Sequence, residues 1–350
     1  MVMGDRPDLA GMAKGFGTKY EYSVYPYMGT DPEMFVKVGN DLLPAFKFLP
    51  AKDQSDEWLR PDERPYYIYK KMFWDGFQAE WTTTQSYTCL SWLVDEVQSA
   101  LKDLDARAKA FNPLAELSLD NVVRIPAAVL DETPDAYVQL GCNPSRNAYK
   151  DKAMFAGNPR KLRYRFAGGH MHFDWRGTVE ESREVVKVMD KVLGVWCVGA
   201  AKNFDKPIRR KYYGLAGEYR KPSYGIEYRT PSNFWLSHPI TMHAVFELGR
   251  AAMTLHKANK SDWWIADEDE VQSVINNCDV EGAREILERN QELLQFILKY
   301  KRSAKPLLKM GLEGIEALVP EPRNIAKNWQ FGAKWVTHCD NEGTNLVEYA

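Results

Sequence analysis

Gly168-Gly169-His170-Met171-His172-Phe173-Asp174-Trp175 is the stretch whose alternation decides the fold. In an extended chain, residues two apart share a face and neighbours point opposite ways. His170, His172 and Asp174 therefore share one face, and Met171, Phe173 and Trp175 share the other. A strand with one apolar and one ionisable face suits an antiparallel sheet packed on one side.

Three further segments repeat the pattern. Gly29-Thr30-Asp31-Pro32-Glu33-Met34-Phe35 puts Asp31 and Glu33 on one face. Phe77-Gln78-Ala79-Glu80-Trp81 pairs Gln78 with Glu80, and Gly225-Ile226-Glu227-Tyr228-Arg229 pairs Glu227 with Arg229. Taken singly, each pair reads as a solvated strand face or a surface ion pair. Together they load the open side of one sheet with carboxylates and imidazole. Like charges so close repel unless a cation neutralises them. Carboxylate oxygens suit Mg²⁺ or Mn²⁺, and one imidazole is compatible with either.

Between the last two of these strands lies a basic segment with Arg209, Arg210, Lys211, Arg220 and Lys221, broken by Gly214, Gly217 and Gly225. It reads as a mobile loop, either solvated or clamping phosphate. Arginine presents a planar fork that matches phosphate oxygens. A carboxylate-bound metal bridging those phosphates would complete a nucleotide site.

Strand-like composition fills residues 21–50, 66–81 (with an Asp75-Gly76 turn), 120–142 and 161–175, and an exposed Pro-containing loop covers 50–66. Thr88–Phe111 has helical spacing through Leu90, Leu93, Val94, Val97, Leu101 and Leu104, and Val179–Leu193 is a second helix. Val192–Ala201 reads as a buried helix or strand. From Thr241 onward helices dominate, over about 242–258, 268–276, 280–300 and 303–317, before a mixed tail. Strands first and helices last make an α+β protein. The expected divisions are a loose leader over 1–20, a catalytic core over 21–240 and a mostly helical portion over 241–350 packed on it.

The 350 residues fit one large domain with insertions as well as two domains. A formal net charge of −2 gives no electrostatic footprint for nucleic acid or an anionic membrane. Aromatic residues, 13% of the chain, read as a large core before a stacking surface. Cys89, Cys142, Cys197, Cys278 and Cys339 are scattered without a CxxC, so a reduced, cytoplasmic setting is the expectation. Cys142 has no neighbour to lower its pKa and reads as structural. No signal peptide and no bilayer-spanning run is read in the sequence.

GGHMHFDW, followed by YRKPSYGIEYRTPSNFW, resembles the amidoligase pattern of the phage COOH·NH2 ligase type 2 family. GTDPEMF and LGCNPSRNAY are similar to further segments of it, and the resemblance spans about residues 25–240. The family is a branch of the glutamine-synthetase/glutamate–cysteine-ligase superfamily. The resemblance implies a glutamine-synthetase-like curved antiparallel sheet whose concave face holds divalent metals and ATP. It implies metal ligation by Asp31, Glu33, Glu80, His170 and Glu227. It implies nucleotide contacts from His172, Arg210, Arg220 and Arg229, with Arg220 and Arg229 assisting phosphoryl transfer. Asp31 departs from the Glu of many members, and Asn143 and Ser145 stand where relatives often have acidic residues, which bears on amine recognition.

The implied activity is ATP-dependent joining of a small-molecule or peptide carboxylate to an amine through an acyl phosphate, with Mg²⁺ or Mn²⁺, in the host cytoplasm if the gene is phage-borne. Three rivals stand beside it. A zinc hydrolase would use His170, His172 and an acid. A carboxylate kinase or ATPase would share the whole site. A structural or scaffold protein would keep only the fold. Oligomerisation is left open.

Overall fold

The computed structural model describes residues 26–54, 58–59, 69–83, 89–138, 145–150, 158–298, 304–330 and 332. The leader, Cys142, Asn143 and Cys339 lie outside them.

The strands in chain order are β1 (Met28–Thr30), β2 (Glu33–Val38), β3 (Asp41–Leu43), β4 (Trp58–Leu59), β5 (Tyr69–Asp75), β6 (Gln78–Thr82) and β7 (Ala115–Ser118). Then come β8 (Val122–Arg124), β9 (Arg146–Asn147), β10 (Tyr164–Phe166), β11 (Met171–Asp174), β12 (Glu218–Arg220) and β13 (Gly225–Tyr228). The first helices are α1 (Leu90–Phe111), α2 (Ala127–Glu132), α3 (Asp135–Val138), α4 (Val179–Met189), α5 (Val195–Ala201) and α6 (Pro207–Arg210). The later ones are α7 (Pro239–Lys257), α8 (Glu268–Asn277), α9 (Val280–Arg289), α10 (Gln291–Leu298), α11 (Ala304–Glu313) and α12 (Ile325–Asn328).

The chain is a mixed α and β protein with a curled antiparallel half-barrel of sheet. One sheet runs β1-β11-β13-β12-β9. Another runs β3-β2-β6-β5-β4, with β7 added on β2, and β8 pairs with β10. In the first sheet His172 lies opposite Glu227, and Glu227 opposite Arg220, so these three form one row on one face. On the other face Met28, Met171, Phe173, Ile226, Tyr228 and Tyr219 are buried. That face rests on α7, with the Phe173 and Phe246 rings 5.9 Å apart. The apolar face packs as alternation predicts, but the ionisable face, read as the open side, is buried as well, with His172, Glu227 and Arg229 almost inaccessible.

Several boundaries differ from the sequence reading, each for a local reason. Asp31 and Glu33 do not share a strand. Pro32 has no N–H to continue a ladder, and the chain leaves β1 after Thr30 to enter β2, in a different sheet, at Glu33. Thr30 and Thr83 join the sheets there, Thr83 N donating to Thr30 O at 2.9 Å. Residues 161–175 are two strands in different ladders, divided at Gly168-Gly169. A Cβ on Gly169 would overlap the Ser232 carbonyl and the Trp235 ring, so only glycine allows this crossing. Past β8, residues 127–138 hold α2 and α3 where a strand was expected. Pro126 stands directly before α2, where a missing N–H costs nothing.

Val179–Leu193 is helical, capped by the reciprocal Thr178–Glu181 box. It runs through a π turn at Asp190–Gly194 into the buried helix α5. The stretch read as one helix over 280–300 divides at Asn290, whose side chain bonds the Ile265 backbone. Among the described residues no helix is long and apolar enough to cross a membrane.

Candidate active site

Two sets of donors, each with two buried members and one half-buried aspartate, face each other where the two sheets meet. Asp31 follows β1, His170 precedes β11 and Glu227 sits within β13. One ligand atom of each lies within 4.8 Å of the others, with His170 Nδ1 3.3 Å from Asp31 Oδ1 and 3.7 Å from Glu227 Oε1. The second set is Glu33 at the start of β2, Glu80 directly opposite it in β6, and Asp75 at the end of β5, again within 4.8 Å. The sequence reading named Asp31, Glu33, Glu80, His170 and Glu227 as metal ligands without assigning them to separate ions. The geometry divides them in two and adds Asp75, which had been read as a turn residue.

Burial, reinforced by the Arg229 guanidinium, pushes His170 down to about 4, so its ring is neutral near pH 7. Burial alone would raise Asp31. The charge of His172 and its hydrogen bond overcome that and hold it well below the usual carboxylate range. Burial would likewise lower His172, yet Asp31 holds it above its ordinary value. Burial and the Asp31 charge would raise Glu227, but Arg229 and the two histidines keep it low.

The second set behaves oppositely. Burial and the charge of Asp75 raise Glu33 to about 7 and push Glu80 well above the carboxylate range, and burial raises Asp75. Carboxylates that cannot all ionise are what a divalent cation relieves. Three oxygen donors in one set, and two carboxylates with one neutral imidazole in the other, both fit Mg²⁺ or Mn²⁺.

Tyr213 lies between the sets. Its hydroxyl donates to Glu33 Oε1 at 3.0 Å, accepts from Arg229 Nη2 at 3.0 Å and bonds His170 Nε2. It lies within the basic segment, and no sequence signal separates it from the many other tyrosines.

Residues 106–331, more than half of the chain, match the family described as Phage phiEco32-like COOH.NH2 ligase-type 2. The chain belongs to that family. Its name describes ligases that join carboxyl to amine. A search of the curated proteins finds no match. In this COOH.NH2 ligase-type chain, His170, His172, Tyr213, Arg220, Glu227 and Arg229 lie inside the matched span, and Asp31, Glu33, Asp75 and Glu80 precede it.

Arg209 and Arg210, in the basic segment of the ligase-family chain, do not form a phosphate clamp. Arg210 bonds the Gly214 and Thr230 carbonyls and the Asp205 carboxylate. Arg209 bonds the Ala167, Thr230 and Pro231 carbonyls. Both are buried, so they tie the segment down and do not reach for phosphate. Arg210 is thereby corrected from a nucleotide contact to a structural residue, and the loop from mobile to anchored.

Arg229 is buried, bonding Glu227 and Tyr213 and lying 3.8 Å from Glu218. Arg220 is more open, with 22% side-chain exposure and Nη1 3.3 Å from Glu227 Oε1. His172 spends Nε2 on Asp31 at 2.7 Å and Nδ1 on the Tyr224 hydroxyl at 2.8 Å. That leaves it neither nitrogen for an ion, against the zinc-hydrolase reading. It also borders a cavity of about 480 Å³ together with Tyr27, Tyr224, Arg176 and Lys221.

Proposed function

We propose that the protein is an ATP- and Mg²⁺-dependent carboxylate–amine ligase with a glutamine-synthetase-like sheet, acting through an acyl phosphate. The observation that carries the reading is the pair of adjacent, mostly buried donor sets, with Arg220 beside Glu227 on the same sheet face. Asp31, His170 and Glu227 would hold one cation, and Glu33, Asp75 and Glu80 another. Bound divalent cations supply the positive charge that offsets charge on a transferring phosphoryl group.

The chain's own residues do the rest. Arg220 offers phosphate a planar set of donors, and Arg229 holds Glu227 and Tyr213 in place. The cavity beside His172 takes the nucleoside, with Tyr27 and Tyr224 as flat walls and Arg176 and Lys221 as positive charge. A substrate carboxylate oxygen attacks the γ-phosphorus and ADP leaves. The amine nitrogen then attacks the acyl carbon, and phosphate leaves as the nitrogen gives up its proton. The substrates are a small-molecule or peptide carboxylate and an amine. Membership of a phage family supports action in the host cytoplasm.

The test is ADP release and amide formation across a panel of acids and amines with Mg-ATP. Release should require the divalent cation and the acid, with amide formed only when amine is present. Glu227→Gln should lose cation-dependent nucleotide binding and slow turnover by at least ~10²-fold. Arg220→Ala should slow turnover comparably, and Arg220→Lys should fail to restore it, since a point charge cannot replace the fork. ADP release indifferent to amine identifies a carboxylate kinase or ATPase instead. Unchanged Mg-ATP binding in Glu227→Gln refutes the cation site.

A further inference from the structure

Tyr213 touches both donor sets. It bonds Glu33 of the acidic set and His170 of the other, and its ring lies under the Arg229 guanidinium at 5.2 Å. A hydroxyl has one proton and two lone pairs. Its proton goes to Glu33 Oε1, and one lone pair takes Arg229 Nη2. The other lone pair is filled only if His170 carries its proton on Nε2. That leaves the Nδ1 lone pair facing Asp31 and Glu227, the orientation a metal ligand needs. The remaining Glu33 oxygen is fixed as well, since Oε2 accepts from Gly168 N at 2.7 Å, two residues before His170.

We propose that Tyr213 is a positioning residue that couples the two cation sites, its hydroxyl holding His170 as the Nε2–H tautomer while it orients Glu33. The inference rests on the two-cation reading above. A cation arriving at Glu33, Asp75 and Glu80 draws on a carboxylate that the hydroxyl also holds. The hydroxyl passes that constraint to the imidazole of the neighbouring set. Purely structural tyrosines stabilise the fold but do not make one ion's affinity depend on the other's ligands.

The experiment is a double-mutant cycle in Mn²⁺ binding, followed by calorimetry and by electron paramagnetic resonance of free Mn²⁺, on the full chain. Wild type should bind two ions. Glu33→Gln should lose one and weaken the remaining site several-fold. Tyr213→Phe should weaken binding by roughly 10–100-fold, the usual range for an outer partner of a metal ligand. In the Tyr213→Phe background, adding Glu33→Gln should leave the remaining site's affinity unchanged. Equal weakening by Glu33→Gln with and without the hydroxyl overturns the coupling.

A metal-free readout runs beside it. In ¹⁵N-histidine spectra, His170 should be the Nε2–H tautomer in wild type and shift toward Nδ1–H in Tyr213→Phe. If Tyr213→Phe does not fold, the wild-type tautomer decides, and an Nδ1–H ring in wild type overturns the proposal. Wild type that binds no Mn²⁺ removes the two-cation reading itself. Two bound ions with an additive cycle remove only the role given to Tyr213.

Discussion

Asp190 is a carboxyl removed from solvent. It sits in the π turn beneath the sheet, fully buried, bonded by the Tyr228 hydroxyl at 2.5 Å and approached by Thr230 Oγ1 at 3.3 Å. Burial outweighs these bonds and raises it to about 7. A folded-state pKa above the unfolded value contributes stability that is complete below the unfolded pKa. That stability is lost as pH rises through the folded one. The window here runs from about pH 4, the ordinary aspartate value, to about pH 7, and the contribution is on the order of a few kcal/mol. Asp190→Asn keeps an oxygen for Tyr228 and cannot ionise. Urea midpoints should therefore diverge with pH, the variant gaining by ~1.4 kcal/mol per pH unit between about pH 4 and pH 7 and keeping a constant advantage above that. Parallel profiles for variant and wild type would show that Asp190 titrates as an ordinary carboxyl.

Among the helices, α5 and α11 approach so closely that a Cβ on Gly199 would overlap the Gly311 carbonyl oxygen. Trp196 fixes the same contact by donating Nε1 to Leu307 O at 2.7 Å. Alanine is the better helix former by ~1 kcal/mol, but forcing a methyl against backbone costs ~1–3 kcal/mol. Gly199→Ala should thus lower the melting temperature, whereas a rise would mean the helices can part without loss. This packing was not legible in sequence, where the glycines of Val192–Ala201 looked like interruptions. Alternation and spacing are local signals, and they located β11, β13, β6, α1, α4 and α7. They could not show that Pro32 sends Asp31 and Glu33 to different sheets, or that Gly168-Gly169 splits a strand. Each of those depends on which distant strand lies alongside. The same limit hid Asp75 and Tyr213, whose roles arise only once β5, β2 and β11 converge. It also made buried, carbonyl-bound Arg209 and Arg210 look like free cations.

At the scale of the whole chain, charge is nearly balanced, with a formal net of −2. Global repulsion therefore gives no reason for divalent cations to stabilise the fold. The strain is local. Asp31, Glu227, Glu33, Asp75 and Glu80 are gathered where the two sheets join, around the Asp31-Pro32-Glu33 crossing. A cation in either set would offset that repulsion and tie residues that are far apart in sequence. Ligand that binds only the folded state stabilises by ~2.7 kcal/mol at a hundred times its Kd. Mg²⁺ or Mn²⁺ should therefore raise the melting temperature, and a chelator should reverse the rise. NaCl at equal ionic strength should not reproduce it, because a buried set is poorly screened.

Glu80→Gln separates this account from general salt effects by sign. Glu80 is buried beside Asp75 and Glu33, and Lys52 Nζ, 3.6 Å away on a largely exposed side chain, screens it only partly. Gln is neutral at every pH, so folding no longer has to protonate this carboxylate; the melting temperature of the cation-free chain should rise and the Mg²⁺ increment should shrink together. A cation-free variant less stable than wild type, with the Mg²⁺ increment intact, would mean that Glu80 is held by its neighbours in the fold and that the acidic set is not a place for a cation.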